Sequence, residues 1–290
     1  MPKVTDALIP VAGLGTRLLP ATRSQPKEML PVVDKPVVQY VVEELAAAGI
    51  TRVLFVTGRR KRAIEDHFDA DPELRSEPLL DQAAGIQILY TRQARPAGLG
   101  DAVRHGRQLA ADRGIVVALG DAIIESAAEN PEEGLVSRLI GAYESEDACA
   151  VIAVQEVPEQ AVSRYGIVVG EARADGLLDV SAVVEKPAPG TVPSRLAVAA
   201  RYVIGPQVLE ELGATAPDAT GEVQLADAFS SLLARGERII AVPLAPGERR
   251  HDIGNVQAYA TTFLRYALRD PRFGPELRAQ AAELLADADA

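Results

Sequence analysis

The sequence predicts an α/β protein in which helices flank a central mixed sheet of mostly parallel strands. Short apolar runs, typical of buried strands, alternate with helical segments over the first 119 residues. This alternation is typical of βαβ units and of a parallel sheet. Polar residues suited to a binding site follow several of the strands. Because ligands collect at the carboxyl ends of parallel strands, we expect the functional site at that edge.

The elements of the first half follow from apolar spacing and from proline and glycine at their ends. Pro36 opens the first helix and Gly49 ends it, which are the usual positions of these residues. The polar stretch 69–78 contains proline and predicts a surface loop. Strands are predicted at 7–11, 52–57, 86–90 and 115–119, and two more helices at 60–69 and 100–111.

The second half predicts mixed or antiparallel strands that continue the same sheet, with few helices between them and a soft boundary near residue 147. Proline- and glycine-containing loops separate these strands. Exposed apolar positions on the two final helices suit a contact between copies, so we expect a homo-oligomer, a dimer or a tetramer. The strands are 148–157, 166–170, 180–185, 197–204 and 238–242, and the helices are 221–235, 255–268 and 273–287.

Composition excludes several classes of function. The formal net charge is −11, which argues against a nucleic acid or an anionic membrane surface as partner. No apolar stretch approaches the ~18 residues of a membrane span, and the sequence begins directly with a strand rather than with a targeting leader. Cys149 is the one cysteine and lies in an apolar run, so we interpret it as a buried, inert thiol. These features predict a cytoplasmic protein.

Residues 9–31 contain a glycine turn followed by fixed positive charge. Backbone N–H groups that no side chain shields bind anions well, and Arg17 and Lys27 add cationic groups to the turn at Gly13-Leu14-Gly15. No third glycine follows as in a dinucleotide fingerprint, and no Gly-Lys-Ser/Thr follows as in a Walker loop. The alternative is a surface turn with incidental charge.

The combination of Gly-x-Gly-Thr-Arg at 13–17 with Pro-Lys-Glu-Met-Leu-Pro at 26–31 closely resembles the signature of the sugar-1-phosphate nucleotidylyltransferases. Its extension through residues 32–36 resembles the bacterial members that use UTP and glucose-1-phosphate. The resemblance covers about residues 5 to 270. It implies a Rossmann-like nucleotide-diphospho-sugar transferase fold and a Mg²⁺-dependent transfer of a uridylyl group from UTP to glucose-1-phosphate, with release of pyrophosphate. It also implies one domain over 1–290, with a nucleotide-binding part at about 1–147, a sugar-binding part at about 148–254 and C-terminal helices at about 255–290.

In the nucleotide-binding part, the resemblance implies that Arg17 stabilises the leaving pyrophosphate and that Lys27 contacts the triphosphate near the reacting phosphorus. An amide side chain such as that of Gln93 can pair with the edge of a base as donor and acceptor. The nucleotide-binding residues implied by the resemblance are Ala12, Gly13, Gly15, Thr16, Gln93 and Gly98.

Two aspartates in distant segments are candidate Mg²⁺ ligands. Asp121 follows the strand 115–119, where a carboxylate is exposed at the sheet edge and suits Mg²⁺, although it could instead cap a turn. By resemblance it is the metal-binding aspartate of the family, which usually has proline where this chain has Gly120. Asp252, in His-Asp-Ile-Gly-Asn, matches the second metal-contacting aspartate. It could instead cap the next helix, for which Asn255 is closer, and His251 is interpreted as structural.

The sugar-1-phosphate is expected at Gly166, Glu185 and Lys186. Glu185 and Lys186 end a predicted strand, so alternation places their charges on opposite faces at the sheet edge. Without the family context they would be a solvated turn, and Gly166 a simple turn. By resemblance, Gly166 lets the sugar approach the backbone, Glu185 bonds hexose hydroxyls and Lys186 binds the phosphate.

Two alternatives remain open. The same chemistry could use dTTP or another nucleoside triphosphate with a different sugar-1-phosphate or a cyclitol phosphate, because a pocket separates uracil from thymine by only ~1–3 kcal/mol. The chain could also be a catalytically inactive nucleotide-sugar-binding regulatory module. All the charged residues of the expected mechanism are present, which argues against the second alternative.

Overall fold

The computed structural model describes residues 3–69, 85–110, 113–126, 130 and 133–288. The loop predicted at 69–78 lies, except for Asp69, outside the described residues. The strands are β1 Asp6–Pro10, β2 Pro31–Val32, β3 Lys35–Pro36, β4 Arg52–Thr57, β5 Gln87–Arg92, β6 Ile115–Ala118, β7 Ala122–Glu125, β8 Ala150–Glu156, β9 Gly166–Ala172, β10 Leu178–Glu185, β11 Leu196–Ile204, β12 Ile239–Pro243 and β13 Arg249–Asp252. The helices are α1 Val37–Ala47, α2 Arg62–Phe68, α3 Leu99–Arg104, α4 Arg107–Ala110, α5 Leu135–Ser145, α6 Pro206–Ala214, α7 Leu225–Ala234, α8 Val256–Arg269 and α9 Gly274–Ala288.

Nine strands form one continuous sheet in the order β5-β4-β1-β6-β11-β8-β12-β10-β9. The strands of the first half, β5, β4, β1 and β6, are parallel neighbours. Strands β11 and β10 run against their neighbours, whereas β8, β12 and β9 keep the direction of the first four. The predicted fold class, α/β with a mixed and mostly parallel sheet, is therefore confirmed.

Two apolar layers cover the two faces of this sheet. Successive residues of β1 point to opposite faces, so Ile9 packs in the layer that contains α1 and α5, and Leu8 packs in the layer that contains α3, α6 and α7. Strands buried on both faces contain continuous apolar runs, as at residues 7–10 of β1 and 150–154 of β8. The sheet edge is consequently held from both sides, which fixes the loops that follow its strands.

The structure differs from the sequence prediction at several helices. Helix α5 has buried residues at helical spacing (Val136, Leu139, Ile140 and Tyr143), and neither it nor α6 was predicted. The helix predicted at 100–111 is interrupted after Arg104, where a Cβ on Gly106 would lie 2.8 Å from Leu8 Cδ1. The prediction of a helix from 221 was wrong for its first turn, because α7 begins at Leu225 and the backbone of Val223 instead bonds to the segment where α3 begins.

Three further predictions concern the protein as a whole. Cys149 is buried, and burial raises the pKa of its thiol to about 12, as expected of an inert cysteine. Among the helices that the structure describes, none combines the length and the apolar content needed to cross a membrane. Helix α8 exposes Val256, Phe263 and Leu264; the contact between copies and the division of the chain into functional parts stay predictions.

Candidate active site

The loop after β1 surrounds the side chain of Lys27. Gly15 has a left-handed backbone with φ of 67°, and a Cβ there would lie 3.3 Å from Lys27 Cβ. At Gly13 the same added atom would lie 3.8 Å from Lys27 Nζ. The glycines thus let the lysine lie alongside the turn, with Nζ near backbone that can bind an anion. Thr16 and Arg17 follow in the 3₁₀ helix Thr16–Leu18, and both are exposed.

Lys27 forms an ion pair with Asp121, in which Nζ donates to Oδ2. Burial works against the charge of Lys27, but the carboxylates of Asp121, Glu28 and Asp252 outweigh it and raise the pKa of the lysine. Burial also opposes the charge of Asp121, yet Lys27 and Arg250 lower the pKa of that carboxyl overall. Both partners are therefore charged at neutral pH, 94 residues apart in the sequence.

Asp252 lies beside Asp121 because β13 pairs with β7. In this antiparallel pair Asp252 is opposite Ala122, and the N–H of Ile253 donates to the carbonyl of Asp121 at 3.0 Å. A Cβ on Gly254 would lie 2.8 Å from Asp252 Oδ1 and 3.4 Å from Arg17 Nη2. The structure therefore brings together Arg17, Lys27, Asp121 and Asp252, which the sequence singled out separately.

Two carboxylates on adjacent strands fit a divalent cation that takes few protein ligands. In the described part of the chain there is no group of three or more His, Cys, Asp or Glu residues that could hold a metal. Mg²⁺ does not need one, since it is usually bound by one or two carboxylates together with substrate phosphates and water. Asn255 caps α8 by accepting from the N–H of Ala258 at 3.0 Å, which confirms the capping interpretation and leaves Asp252 free of that role.

Gln93 lies at the wall of a cavity of about 280 Å³ that also contains Ala12, Gly13, Lys27 and Asp121. Its side-chain amide donates to Asp101 Oδ2 and, at 3.3 Å, to the carbonyl of Gly98. These bonds fix the orientation of the amide, whose N–H donors are then engaged by the protein. Its carbonyl oxygen is the group left to accept a hydrogen bond from a base.

Beneath Lys27 lies a buried ion pair that the sequence analysis missed. Lys61 Nζ donates to Glu28 Oε2 at 2.7 Å, and the two residues are only 4% and 1% exposed. Burial raises the pKa of Glu28 and lowers that of Lys61, in spite of their mutual attraction. The lysine precedes α2, 33 residues from its partner. No local sequence pattern connects positions so far apart.

A second cavity, of about 250 Å³, contains the three residues predicted to bind the sugar phosphate, Gly166, Glu185 and Lys186. A Cβ on Gly166 would lie 3.1 Å from Glu185 Oε2, so the glycine leaves room for the carboxylate. The prediction that Glu185 and Lys186 face opposite sides was wrong. Lys186 has a left-handed backbone with φ of 44°, which turns its side chain back, and Nζ lies 2.9 Å from Glu185 Oε1.

The two cavities share Leu99 and Glu222 as lining residues. Val223, which follows Glu222, bonds to the segment where α3 begins: its N–H donates to the carbonyl of Ala97 and its carbonyl accepts from the N–H of Gly100, both at 2.8 Å. A Cβ on Gly98 would lie 2.6 Å from that carbonyl. Glu222 was missed because residues 221–224 were predicted to be helical.

Gly120 is the departure from the family pattern, and its surroundings explain it. A Cβ at this position would lie 2.6 Å from Val11 Cγ1 and 3.1 Å from Ile9 Cγ2. With valine at position 11 there is no space for a side chain at position 120. The glycine therefore matches the packing beneath the Asp121 loop.

Comparison with known proteins places these features in one family. The family model described as nucleotidyl transferase matches residues 6–268. The chain is 41% identical to UTP–glucose-1-phosphate uridylyltransferase 2 of Streptococcus pyogenes, over 98% of this chain and 97% of that protein. A crystal structure of UDP-glucose pyrophosphorylase complexed with UDP-glucose superposes with a TM-score of 0.84 at 34% identity, over 92% of this chain and 100% of that one. The UTP-bound UGPase from Acinetobacter baumannii gives a TM-score of 0.85 at 33% identity, over 97% and 99%.

Proposed function

The chain belongs to the nucleotidyl transferase family, and we propose that it transfers the uridylyl group of UTP to glucose-1-phosphate, giving UDP-glucose and pyrophosphate. The observation that carries the proposal is the junction of the two cavities. One contains the glycine loop, Gln93 and the Lys27–Asp121 pair; the other contains Glu185 and Lys186. A nucleotide and a sugar phosphate bound there would meet next to Glu222.

The proposed reaction is an in-line displacement at phosphorus. A phosphate oxygen of glucose-1-phosphate forms a bond to the α-phosphorus of UTP, and the bond from that phosphorus to the bridging oxygen breaks. The bridging oxygen leaves with its electron pair as part of pyrophosphate. Because two anions must approach each other, positioning and charge neutralisation supply the catalysis and no covalent nucleophile is needed. The histidines that could have activated one, His67, His105 and His251, are scattered in the sequence.

Each cationic side chain of the site would neutralise a different phosphate group. Lys27, which lies along the glycine loop, would contact the triphosphate near the α-phosphorus, and Arg17 the β- and γ-phosphates that leave. Lys186, 60% exposed at the second cavity, would bind the phosphate of the acceptor. Glu185 would accept hydrogen bonds from hexose hydroxyls beside Gly166. The carbonyl oxygen of Gln93 would accept from N3–H of uracil, with Ala12, Gly13 and Gly98 against the base.

We propose Asp121 and Asp252 as the ligands of Mg²⁺. When bound, the cation would neutralise charge on the phosphates, which is the chemistry that Mg²⁺ supplies in such sites. Lys27 holds the carboxylate of Asp121 in place through its ion pair. Arg250 does so for Asp252, with Nη2 at 3.1 Å from Oδ2.

The test is a substrate matrix read by pyrophosphate release. The purified protein with Mg²⁺ is offered UTP, dTTP, ATP, CTP and GTP against glucose-1-phosphate and a panel of other sugar-1-phosphates and cyclitol phosphates. We expect the combination of UTP with glucose-1-phosphate to dominate and to require the divalent cation. If a different combination dominates, the proposed mechanism is retained but the proposed substrates are wrong. If no combination gives turnover, the inactive binding module is favoured.

The assignment of Lys186 is tested by Lys186→Ala. We expect turnover to fall by on the order of 10²–10³, as for the loss of one charge-stabilising donor. Lys3→Ala is the matched control, since Lys3 is exposed and precedes β1, away from the carboxyl edge of the sheet. Near-wild-type turnover of Lys186→Ala would refute the role of this lysine.

A further inference from the structure

An irregularity in β11 lies directly behind the two aspartates. Between Val198 and Tyr202 the strand loses its register with β8: three residues of β11 lie opposite a single residue of β8. Ala200, inside this bulge, has a left-handed backbone with φ of 63°, a conformation that costs free energy in a residue with a side chain. Bulges are common next to active sites. Arg201 follows Ala200 in this bulge, stays opposite Ala118 of β6, and points to the face of the sheet that α1 covers.

Arg201 holds the segment that presents Asp121. The arginine is completely buried, and Nη2 donates to the carbonyl of Ala122 at 2.9 Å while Nη1 donates to that of Leu119 at 3.4 Å. Both carbonyls flank the Gly120-Asp121 turn. The carbonyl of Ala200 accepts from the N–H of Leu119 at 3.1 Å, which attaches the same turn directly to the bulge.

Glu44 of α1 completes this arrangement by keeping the guanidinium in place. Its Oε2 accepts from Arg201 Nη2 at 2.6 Å and from Nε at 3.1 Å. The partners are 157 residues apart in the sequence. A buried guanidinium needs such a partner, because an unpaired buried charge is strongly unfavourable.

Arg250 makes the corresponding connection to Asp252 from the other end of the bulge. Its Nη1 donates to the carbonyl of Val198 at 3.2 Å and its Nη2 to Asp252 Oδ2 at 3.1 Å. The guanidinium lies over the ring of Tyr165, 4.8 Å from its centroid. Its Nε is buried and has no hydrogen-bond partner among the described residues.

We propose that the bulge Val198–Tyr202 sets the positions of Asp121 and Asp252 relative to each other, with Arg201 and Arg250 as positioning residues. The inference rests on the proposed function, because it assigns both aspartates to the metal. The binding of a cation that has only two protein carboxylates as ligands depends on the distance between them. A displacement of about 1 Å in such a site weakens binding.

The first test replaces the buried pair as a unit, with Arg201→Met/Glu44→Leu. Apolar residues of similar volume commonly preserve folding where the loss of one partner does not, and the net charge is unchanged. Mn²⁺ binding in the presence of UDP-glucose is measured by electron paramagnetic resonance. We expect the dissociation constant of Mn²⁺ to rise at least tenfold, while thermal unfolding of the metal-free protein stays cooperative.

The matched control is Arg52→Met/Asp6→Leu. Asp6 is buried and accepts two hydrogen bonds from Arg52, at 2.6 and 2.8 Å, at the opposite end of β1 and β4. We expect this variant to bind Mn²⁺ as the wild type does. An equal loss of affinity in the control would show that replacing any ion pair with a buried carboxylate weakens Mn²⁺ binding, and would overturn a specific role for Arg201.

Arg250→Lys is the second variant, and it keeps the proposal testable if the first does not fold. Lysine retains the positive charge, whose loss would by itself favour a cation, but it cannot reproduce the two-acceptor bridge from Val198 to Asp252. We expect a three- to tenfold weaker Mn²⁺ affinity and a similar rise in the metal concentration for half-maximal turnover. Mn²⁺ affinities within twofold of wild type in the folded variants would refute the proposal. Failure of the wild type to bind Mn²⁺ would instead refute the proposed metal site.

Discussion

The lysines of the two cavities are held in different ways. Lys27 is largely buried against the glycine loop, pairs with Asp121 and lies next to the buried Glu28–Lys61 pair. Lys186 is mostly exposed and forms an ion pair with its own neighbour, Glu185. The proposed nucleotide side of the site is therefore built into the core before any substrate arrives. On the proposed acceptor side, the exposed lysine would have room to adjust to a phosphate.

This difference follows from where each lysine lies relative to the sheet. Lys27 lies over the ends of parallel strands that are buried on both faces, so its charged partners come from distant segments of the chain. Removing any one of these partners should lower the free energy of unfolding. Lys186 follows β10, which pairs with β9 at the edge of the sheet. Substitutions on the two sides should consequently differ in their effect on the free energy of unfolding.

The largest expected loss in the free energy of unfolding is that of Lys61→Met, on the proposed nucleotide side. The variant leaves the Glu28 carboxylate buried without its partner, and we expect a loss of about 3–5 kcal/mol in the free energy of unfolding, measured with urea. Lys61→Met/Glu28→Leu should recover most of it. Lys35→Met is the control: Lys35 pairs with Glu43 at 2.7 Å but is 32% exposed, and we expect a loss below ~1 kcal/mol. Equal losses in Lys61→Met and Lys35→Met would contradict the comparison.

A smaller loss in the free energy of unfolding is expected from Gly120→Ala, which tests how tightly the turn at Asp121 is packed. The added methyl group meets Val11 Cγ1, and overpacking of this kind costs about 1–3 kcal/mol. Val11→Ala provides the missing space, so in a double-mutant cycle the two changes should be less harmful together than their sum.

Gly141→Ala is the matched control for that cycle. Gly141 lies within α5, and an added Cβ meets nothing within 4 Å. Alanine in a helix interior is favoured over glycine, so this variant should be more stable by roughly 0.5–1 kcal/mol. If the Gly120→Ala protein is as stable as the wild type, or if its effect and that of Val11→Ala simply add in the double variant, the turn has room for a side chain.

Sequence reasoning succeeded for this site wherever a residue was tied to the end of a strand. Gly13, Gln93 and Asp121 follow β1, β5 and β6, which are neighbours or near neighbours in the parallel part of the sheet. The rule that ligands bind at the carboxyl ends of such strands was enough to place them together. The position of Asn255 directly before the helix separately identified it as the cap of α8.

Sequence reasoning failed where the partners of an ion pair are distant in the sequence or where the backbone is irregular. The pairs Lys61–Glu28 and Arg201–Glu44 depend on tertiary contacts, and no periodicity encodes them. The direction of Lys186 depends on a left-handed residue that alternation along a strand does not anticipate. Helix α5 is a different case, because its helical spacing is present in the sequence and was overlooked.

The smallest expected effect on stability belongs to Lys186→Met, and it separates the two sides of the site most sharply. Methionine, like lysine, is unbranched at Cβ, and an exposed ion pair contributes little, so we expect a change below about 0.5 kcal/mol in the free energy of unfolding. Lys27→Met deprives the Asp121 carboxylate of its charged donor and should cost roughly 1–3 kcal/mol. Both variants should lose most of their turnover if the proposed roles hold. A Lys186→Met protein as destabilised as Lys27→Met would mean that the acceptor side is preorganised in the same way as the nucleotide side.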